Sequence, residues 1–215
     1  MATWIVHLRI ADLLIKKKII PNEYKKEFIY GSLAPDCGYG SKDSFGDFSP
    51  PPSVTHWTPS NCKIFCEYDR FYNEYLKDRD KNSDYYFYLG YYTHLITDVL
   101  WSSSIYMSTR IKYAHEYKDN PQYITIIKKD WYRLDFEYLD NTPDFESYKI
   151  LCAIDHVEDY LPYYEPHQLT TQLKAIANCY KNKKPDDKYT YRFLTPKEVD
   201  EFVITASSLI EKKLP

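Results

Sequence analysis

Between residues 84 and 107 the chain has no proline and a single glycine, and Phe87, Tyr91, His94, Asp98, Trp101 and Ile105 recur at three- and four-residue steps. That is the helical period, so the stretch reads as one long helix with these six side chains along one stripe. The stripe is otherwise aromatic and aliphatic and should turn inward, where a carboxylate is costly unless it is paired, hydrogen-bonded or bound to a cation. A histidine and an aspartate four residues apart project in one direction from adjacent turns. His94 and Asp98 can therefore offer an imidazole nitrogen and a carboxylate oxygen to one ion, or form a hydrogen-bonded core pair.

Length and charge narrow the setting for that pair. With 215 residues and no compositional break, the chain is expected to form one domain over 1–215. A formal charge of −3 gives no basic footprint, so a dedicated nucleic-acid-binding role is not expected. Aromatic residues make up 18% of the chain, 24 of them tyrosine, which reads as compositional bias and not as an aromatic ligand box. Cys37, Cys62, Cys66, Cys152 and Cys179 are odd in number and lack a repeated Cys-x-x-Cys spacing, which suits a reducing compartment. Cys62 and Cys66 lie one helical turn apart without further clustered thiols or histidines, too few for a structural zinc. The apolar run at 3–15 is broken by His7, Arg9 and Asp12, so it fits neither a secretory signal nor a membrane span, and a cytoplasmic protein is expected.

Taken in order, the periodicity predicts helices at about 3–18, with His7 on the inner face beside Trp4, Leu8, Ala11 and Ile15, and at 21–30, with Pro21 in the first turn. Residues 31–59 hold four of the five glycines and the run Pro50-Pro51-Pro52, so regular structure is not expected there. A connection of that length is uncommon in a compact domain unless it is functional or disordered, and its two ends carry Asp36 and His56. Further helices are expected at 60–77, with Ile64, Tyr68, Phe71 and Tyr75 as the apolar stripe, at 122–139, 143–161 and 167–181, and at 195–213. In the last, Thr195-Pro196-Lys197-Glu198 makes a good helix start. The charged tract at 77–82 reads as a solvated connection. Ser102-Ser103-Ser104 has no local base to make it nucleophilic. No sustained period-two alternation occurs, so the expected fold is an all-α, multi-helix bundle of seven to nine helices.

Three motifs now stand in order behind an inward histidine: Gly31-Ser32-Leu33-Ala34-Pro35-Asp36, Thr55-His56-Trp57, and Gly90-Tyr91-Tyr92-Thr93-His94-Leu95-Ile96-Thr97-Asp98. This arrangement resembles the zinc-dependent phospholipase C family, whose all-helical fold is also similar to that of the S1/P1 nucleases. The resemblance covers roughly the first 105 residues. It implies that Asp36, His56, His94 and Asp98 hold one Zn2+, and that Asp98 bridges to a second Zn2+ also held by His7. Mixed nitrogen and oxygen donors suit zinc or another borderline divalent ion. Secreted members also bind zinc through the amine and carbonyl of an N-terminal tryptophan. Here Trp4 is internal, although loss of Met1 would leave a free amine at Ala2. Those members have a further zinc on two histidines and a glutamate, and Ser104 stands where the first of these histidines is expected. His115 beside Glu116, His156 near Asp155 and Asp159, and His167 do not map onto that set.

The function implied is a metal-dependent phosphoester hydrolase using metal-activated water, with Asp36 both a ligand and an acceptor of the attacking proton. A phospholipid headgroup or a small phosphoester is the expected substrate. A single-strand nuclease-like phosphodiesterase is the alternative that keeps the chemistry. A non-catalytic, metal-stabilised helical interaction protein is the alternative from another class.

Overall fold

The computed structural model describes residues 1–40, 48–59, 63–118, 120, 122–181 and 189–215. The fold is all-α: 67% of the described residues are helical. The order is α1 (Trp4–Lys16), α2 (Lys25–Gly31), β1 (Tyr39–Gly40), β2 (Phe48–Ser49), α3 (Pro52–Thr55), α4 (Tyr68–Tyr75), α5 (Ser83–Trp101), α6 (Met107–Lys112), α7 (Ala114–Lys118), α8 (Tyr123–Asn141), α9 (Glu146–Cys152), α10 (Gln168–Lys181) and α11 (Pro196–Glu211). The two strands form a small antiparallel hairpin with Tyr39 opposite Ser49.

Helix α5 is the axis of the molecule. Asn82 starts it by accepting the Tyr85 amide on its side chain, at 3.1 Å. Every residue from Tyr85 to Asp98 is buried, so the helix is enclosed on all sides and not along one stripe as its period suggested. It is covered by α1, α2, α4 and α11. Beyond Trp101 the helical path widens into a π-helical turn, Ser102–Tyr106, before α6. There the Ser103 and Ser104 hydroxyls bond back to carbonyls of Val99 and Leu100, a local use that fits the absence of a nucleophile's partner.

Helices α2 and α5 meet backbone to backbone. A Cβ at Gly90 would lie 2.1 Å from the Phe28 carbonyl oxygen, and one at Gly31 would lie 1.9 Å from that of Phe87. The two backbones thus touch through paired glycines, with no flexible side chain between them to yield. The crossing sets the end of α2, and the Asp36 segment after it, directly against the middle of α5.

Several boundaries differ from the sequence expectation. Residues 31–59 contain a 3₁₀ turn at Ala34–Asp36, the hairpin and α3. Pro21 precedes a 3₁₀ turn, Asn22–Tyr24, in extended conformation and so is not the first residue of α2. Helix α4 begins only at Tyr68 because the Glu67 amide is taken by the Trp57 carbonyl at 2.8 Å. Ile64, expected on its apolar stripe, is 37% exposed in a separate 3₁₀ turn. Cys62 lies outside the described residues, and Cys66 donates to the His56 carbonyl. The helix expected over 143–161 stops at Cys152. Ile154, Val157 and Leu161 keep a helical spacing and are all buried, yet the backbone between them is irregular and tied down elsewhere. Val157 exchanges hydrogen bonds with Thr170, and the Tyr160 carbonyl accepts from Tyr88. The expected start of α11 is present as a capping box between Thr195 and Glu198.

Two buried carboxylates on α8 tie the C-terminal half together. Asp130 accepts the backbone amides of Arg192, Phe193 and Leu194 and the Tyr189 hydroxyl, anchoring the approach to α11. Asp135 accepts hydroxyl groups of Thr3 at 2.6 Å and Tyr180 at 2.7 Å. Burial raises the Asp135 pKa from 3.8 to about 7 against the opposing pull of those hydroxyls and of Arg9. The native state therefore binds this proton more tightly than the unfolded chain. The group's contribution is full below about pH 4 and is lost as pH rises toward and through about 7. In chelator-treated protein, Asp135→Asn should consequently gain stability relative to wild type as pH goes from 4 to 8, read from urea midpoints. A constant difference between the two would contradict this.

Candidate metal centre

Four separated segments bring the five sequence-predicted side chains together. His7 comes from α1, Asp36 from the 3₁₀ turn after α2, His56 from the residue that caps α3, and His94 with Asp98 from α5. His7, His56, His94 and Asp98 are buried, and Asp36, of intermediate exposure as a residue, has a side chain only 6% exposed, so all five donor groups are enclosed.

Donor separations are those of a shared coordination sphere. Two atoms bound tetrahedrally to zinc at about 2.0–2.1 Å sit about 3.3 Å from each other. His56 Nε2 is 3.1 Å from Asp36 Oδ1 and 3.3 Å from His94 Nε2. Asp98 Oδ2 lies 3.7 Å from Nε2 of both His56 and His94, while its other oxygen, Oδ1, lies 3.5 Å from His7 Nε2. The two oxygens of Asp98 thus face different partners. Two compact donor triads result, His7/His94/Asp98 and Asp36/His56/His94, each with its atoms within 4.8 Å of one another.

The protonation states suit cation binding. His94 Nδ1 is 2.8 Å from the Ser32 carbonyl, which can only accept, so the proton sits on Nδ1 and Nε2 presents a lone pair to the cluster. His56 Nδ1 is 2.9 Å from the Thr55 hydroxyl, which can donate or accept, while its Nε2 faces Asp36 Oδ1 at 3.1 Å. His7 stacks on His94 with ring centroids 3.7 Å apart and planes 3° from parallel. Burial above all lowers the His7 pKa to about 4, which keeps its imidazole neutral near pH 7. Neither ring nitrogen of His7 has a hydrogen-bond partner among the described residues. Leaving such groups unsatisfied costs about 1–3 kcal/mol each, a debt that a cation at Nε2 would relieve.

Local backbone geometry aims these groups. Trp57 adopts a left-handed φ of 53°, sparsely populated for a bulky residue, and it turns the chain sharply after His56. Its ring packs edge-on against Phe71 and Tyr75, holding that turn. Contributors that the sequence did not reveal include the Ser32 carbonyl, the Thr55 hydroxyl and the Ala2 amide, which donates to Asp98 Oδ1 at 2.8 Å. Only the Ala2 position had a sequence signal, through the resemblance.

The other histidines are elsewhere. His115 sits on exposed α7, and its neighbour Glu116 pairs with Arg192. His156 pairs with Glu158 at 3.3 Å, and the His167 amide donates to Asp159. None of them joins the triads.

No curated protein and no solved structure matches the chain. Residues 6–101 do match a family model, and all five clustered side chains fall inside that span. The model they match is that of zinc-dependent phospholipase C, and it spans the part of the chain that builds the candidate centre.

Proposed function

We propose that this protein is a zinc-dependent hydrolase of phosphoester bonds, with all 215 residues serving as one catalytic unit. The observation that carries the reading is the split of Asp98, with Oδ1 toward His7 and Oδ2 toward His56 and His94. A carboxylate so placed can serve two ions, with Asp36, His56 and His94 completing one set and His7 the other. Zinc in that position would supply Lewis acidity toward a phosphoryl oxygen and acidify water.

The chain's own residues have separate tasks. The Ser32 carbonyl sets the His94 tautomer, the Thr55 hydroxyl contacts His56 Nδ1, and the enclosed α5 keeps bulk water from the inner donors. Asp36, with Oδ1 at 3.1 Å from His56 Nε2, can take a proton from water attacking phosphorus. Phosphomonoesters and phosphodiesters with small or lipid-derived alcohols fit this chemistry. Among the described residues no helix is long and apolar enough to cross a membrane.

The test is hydrolysis of chromogenic phosphomonoesters and phosphodiesters by zinc-supplied protein. Turnover is expected in wild type, with a loss of at least about 100-fold in His94→Ala, since removing a ligand should exceed the usual effect of removing a group that merely orients one. Equal rates in the two proteins would sink the hydrolase reading. Metal-dependent thermal stabilisation with no turnover on any ester would favour a metal-stabilised, non-catalytic helical module instead.

A further inference from the structure

We propose that Tyr164 and Gln168, which lie outside the family-matched residues 6–101, are positioning residues of the metal centre. The inference rests on the metal-binding reading above. Asp36 and His56 do not sit within long helices. One belongs to a three-residue 3₁₀ turn and the other caps a four-residue helix, and neither element can hold itself to a fraction of an ångström.

Their support comes from the far end of the chain. The Tyr164 hydroxyl donates to the Ala34 carbonyl at 2.6 Å. The Gln168 amide donates to the Cys37 carbonyl at 2.9 Å and to the Ser49 carbonyl at 2.7 Å, and its own oxygen accepts the Glu165 amide. The carbonyls on both sides of Pro35-Asp36 are therefore gripped by one short segment. The His56 side is reached through a relay: Tyr163 donates to the Tyr91 oxygen at 2.9 Å, and Tyr91 donates to the Thr55 carbonyl.

These struts are rigid. Gln168 is fully buried, Tyr164 is 6% exposed, and burial pushes the phenols of Tyr91 and Tyr164 well above their ordinary pKa, so they remain donors. The connection before α10, together with the first residue of that helix, thus sets the spacing of Asp36 against His56. Two ligands on short turns are held as a pair only while 163–168 is docked.

Cobalt(II) uptake by the full chain tests this, because its visible spectrum reports coordination geometry and chelator competition reports affinity. Tyr164→Phe removes one oxygen atom and should weaken cobalt affinity about 10–100-fold and alter the spectrum. Tyr88→Phe is the control: it deletes a part-buried bond, 2.7 Å to the Tyr160 carbonyl, just before that segment and away from the ligand turns. It should lower the melting temperature while leaving affinity and spectrum unchanged. Wild-type affinity and spectrum in Tyr164→Phe would overturn the inference and leave the metal reading standing, whereas failure of wild type to take up cobalt would overturn both. Should Tyr164→Phe not fold, hydrogen exchange on wild type decides. Cobalt should slow exchange at the amides of Tyr164 and Gln168, and unchanged rates there would overturn the proposal.

Discussion

Gly90→Ala should be among the most damaging single-methyl additions available in this chain, costing about 3 kcal/mol or more of stability, at or above the upper end of ordinary overpacking. The new carbon would be built 2.1 Å from the Phe28 carbonyl oxygen and 2.9 Å from the Ser32 nitrogen, both backbone atoms. Neither can swing aside as a side-chain tip would, so α2 and α5 must separate. For a chain of this size about 3 kcal/mol lowers the melting temperature by roughly 6–12 °C, and differential scanning calorimetry reads that directly. Because the Ser32 carbonyl that orients His94 lies at this crossing, the damage should extend to the metal centre. A variant as stable as wild type would show that the helices do not meet as closely as described.

Asp98→Asn should have its largest effect on the response to metal. In wild type the carboxylate faces three histidines and accepts the Ala2 amide, so a cation that binds only the folded state adds stability by mass action. At free zinc 100-fold above the dissociation constant that gain is about 2.7 kcal/mol. It corresponds to a rise in melting temperature of roughly 5–11 °C. Asp98→Asn loses the charge and one of the two oxygens that face the histidines, and its melting temperature should respond to zinc much less than that of wild type. Without metal the two proteins should differ much less, since the amide oxygen can still accept from Ala2. An undiminished zinc response in Asp98→Asn would remove Asp98 from the centre.

The parts of this arrangement that could be read from sequence are those written in local periodicity or local chemistry. His94 and Asp98 share a helical face because they are four apart, and Thr195 with Glu198 announces a helix start by short-range capping alone. His7 was legible as inward-facing for the same reason. Long-range partners were not legible. Glu67 is withheld from α4 by the Trp57 carbonyl, an interaction with no residue-type signature. Residues 154–161 bury apolar side chains at helical spacing along an irregular path, and periodicity cannot separate the two cases.

Tyrosine gives the sharpest contrast. An abundance that reads as compositional bias includes Tyr91, Tyr163 and Tyr164, whose hydroxyls reach the backbone that carries Asp36 and His56. Tyr91 and Tyr164 donate to backbone carbonyls, identical at every position of the sequence, and Tyr163 acts through the Tyr91 hydroxyl, so nothing in the residue pattern distinguishes these three from the exposed ones. Asp130 and Asp135 were missed on the same ground, since their partners are backbone amides and hydroxyls contributed by other segments.

Crystals grown from zinc-supplied protein and measured on either side of the zinc absorption edge address the cluster itself. Anomalous difference peaks should lie among Asp36, His56, His94 and Asp98, and between His7 and Asp98. A map with no peak there, from protein shown to be folded and saturated with zinc, would contradict the account.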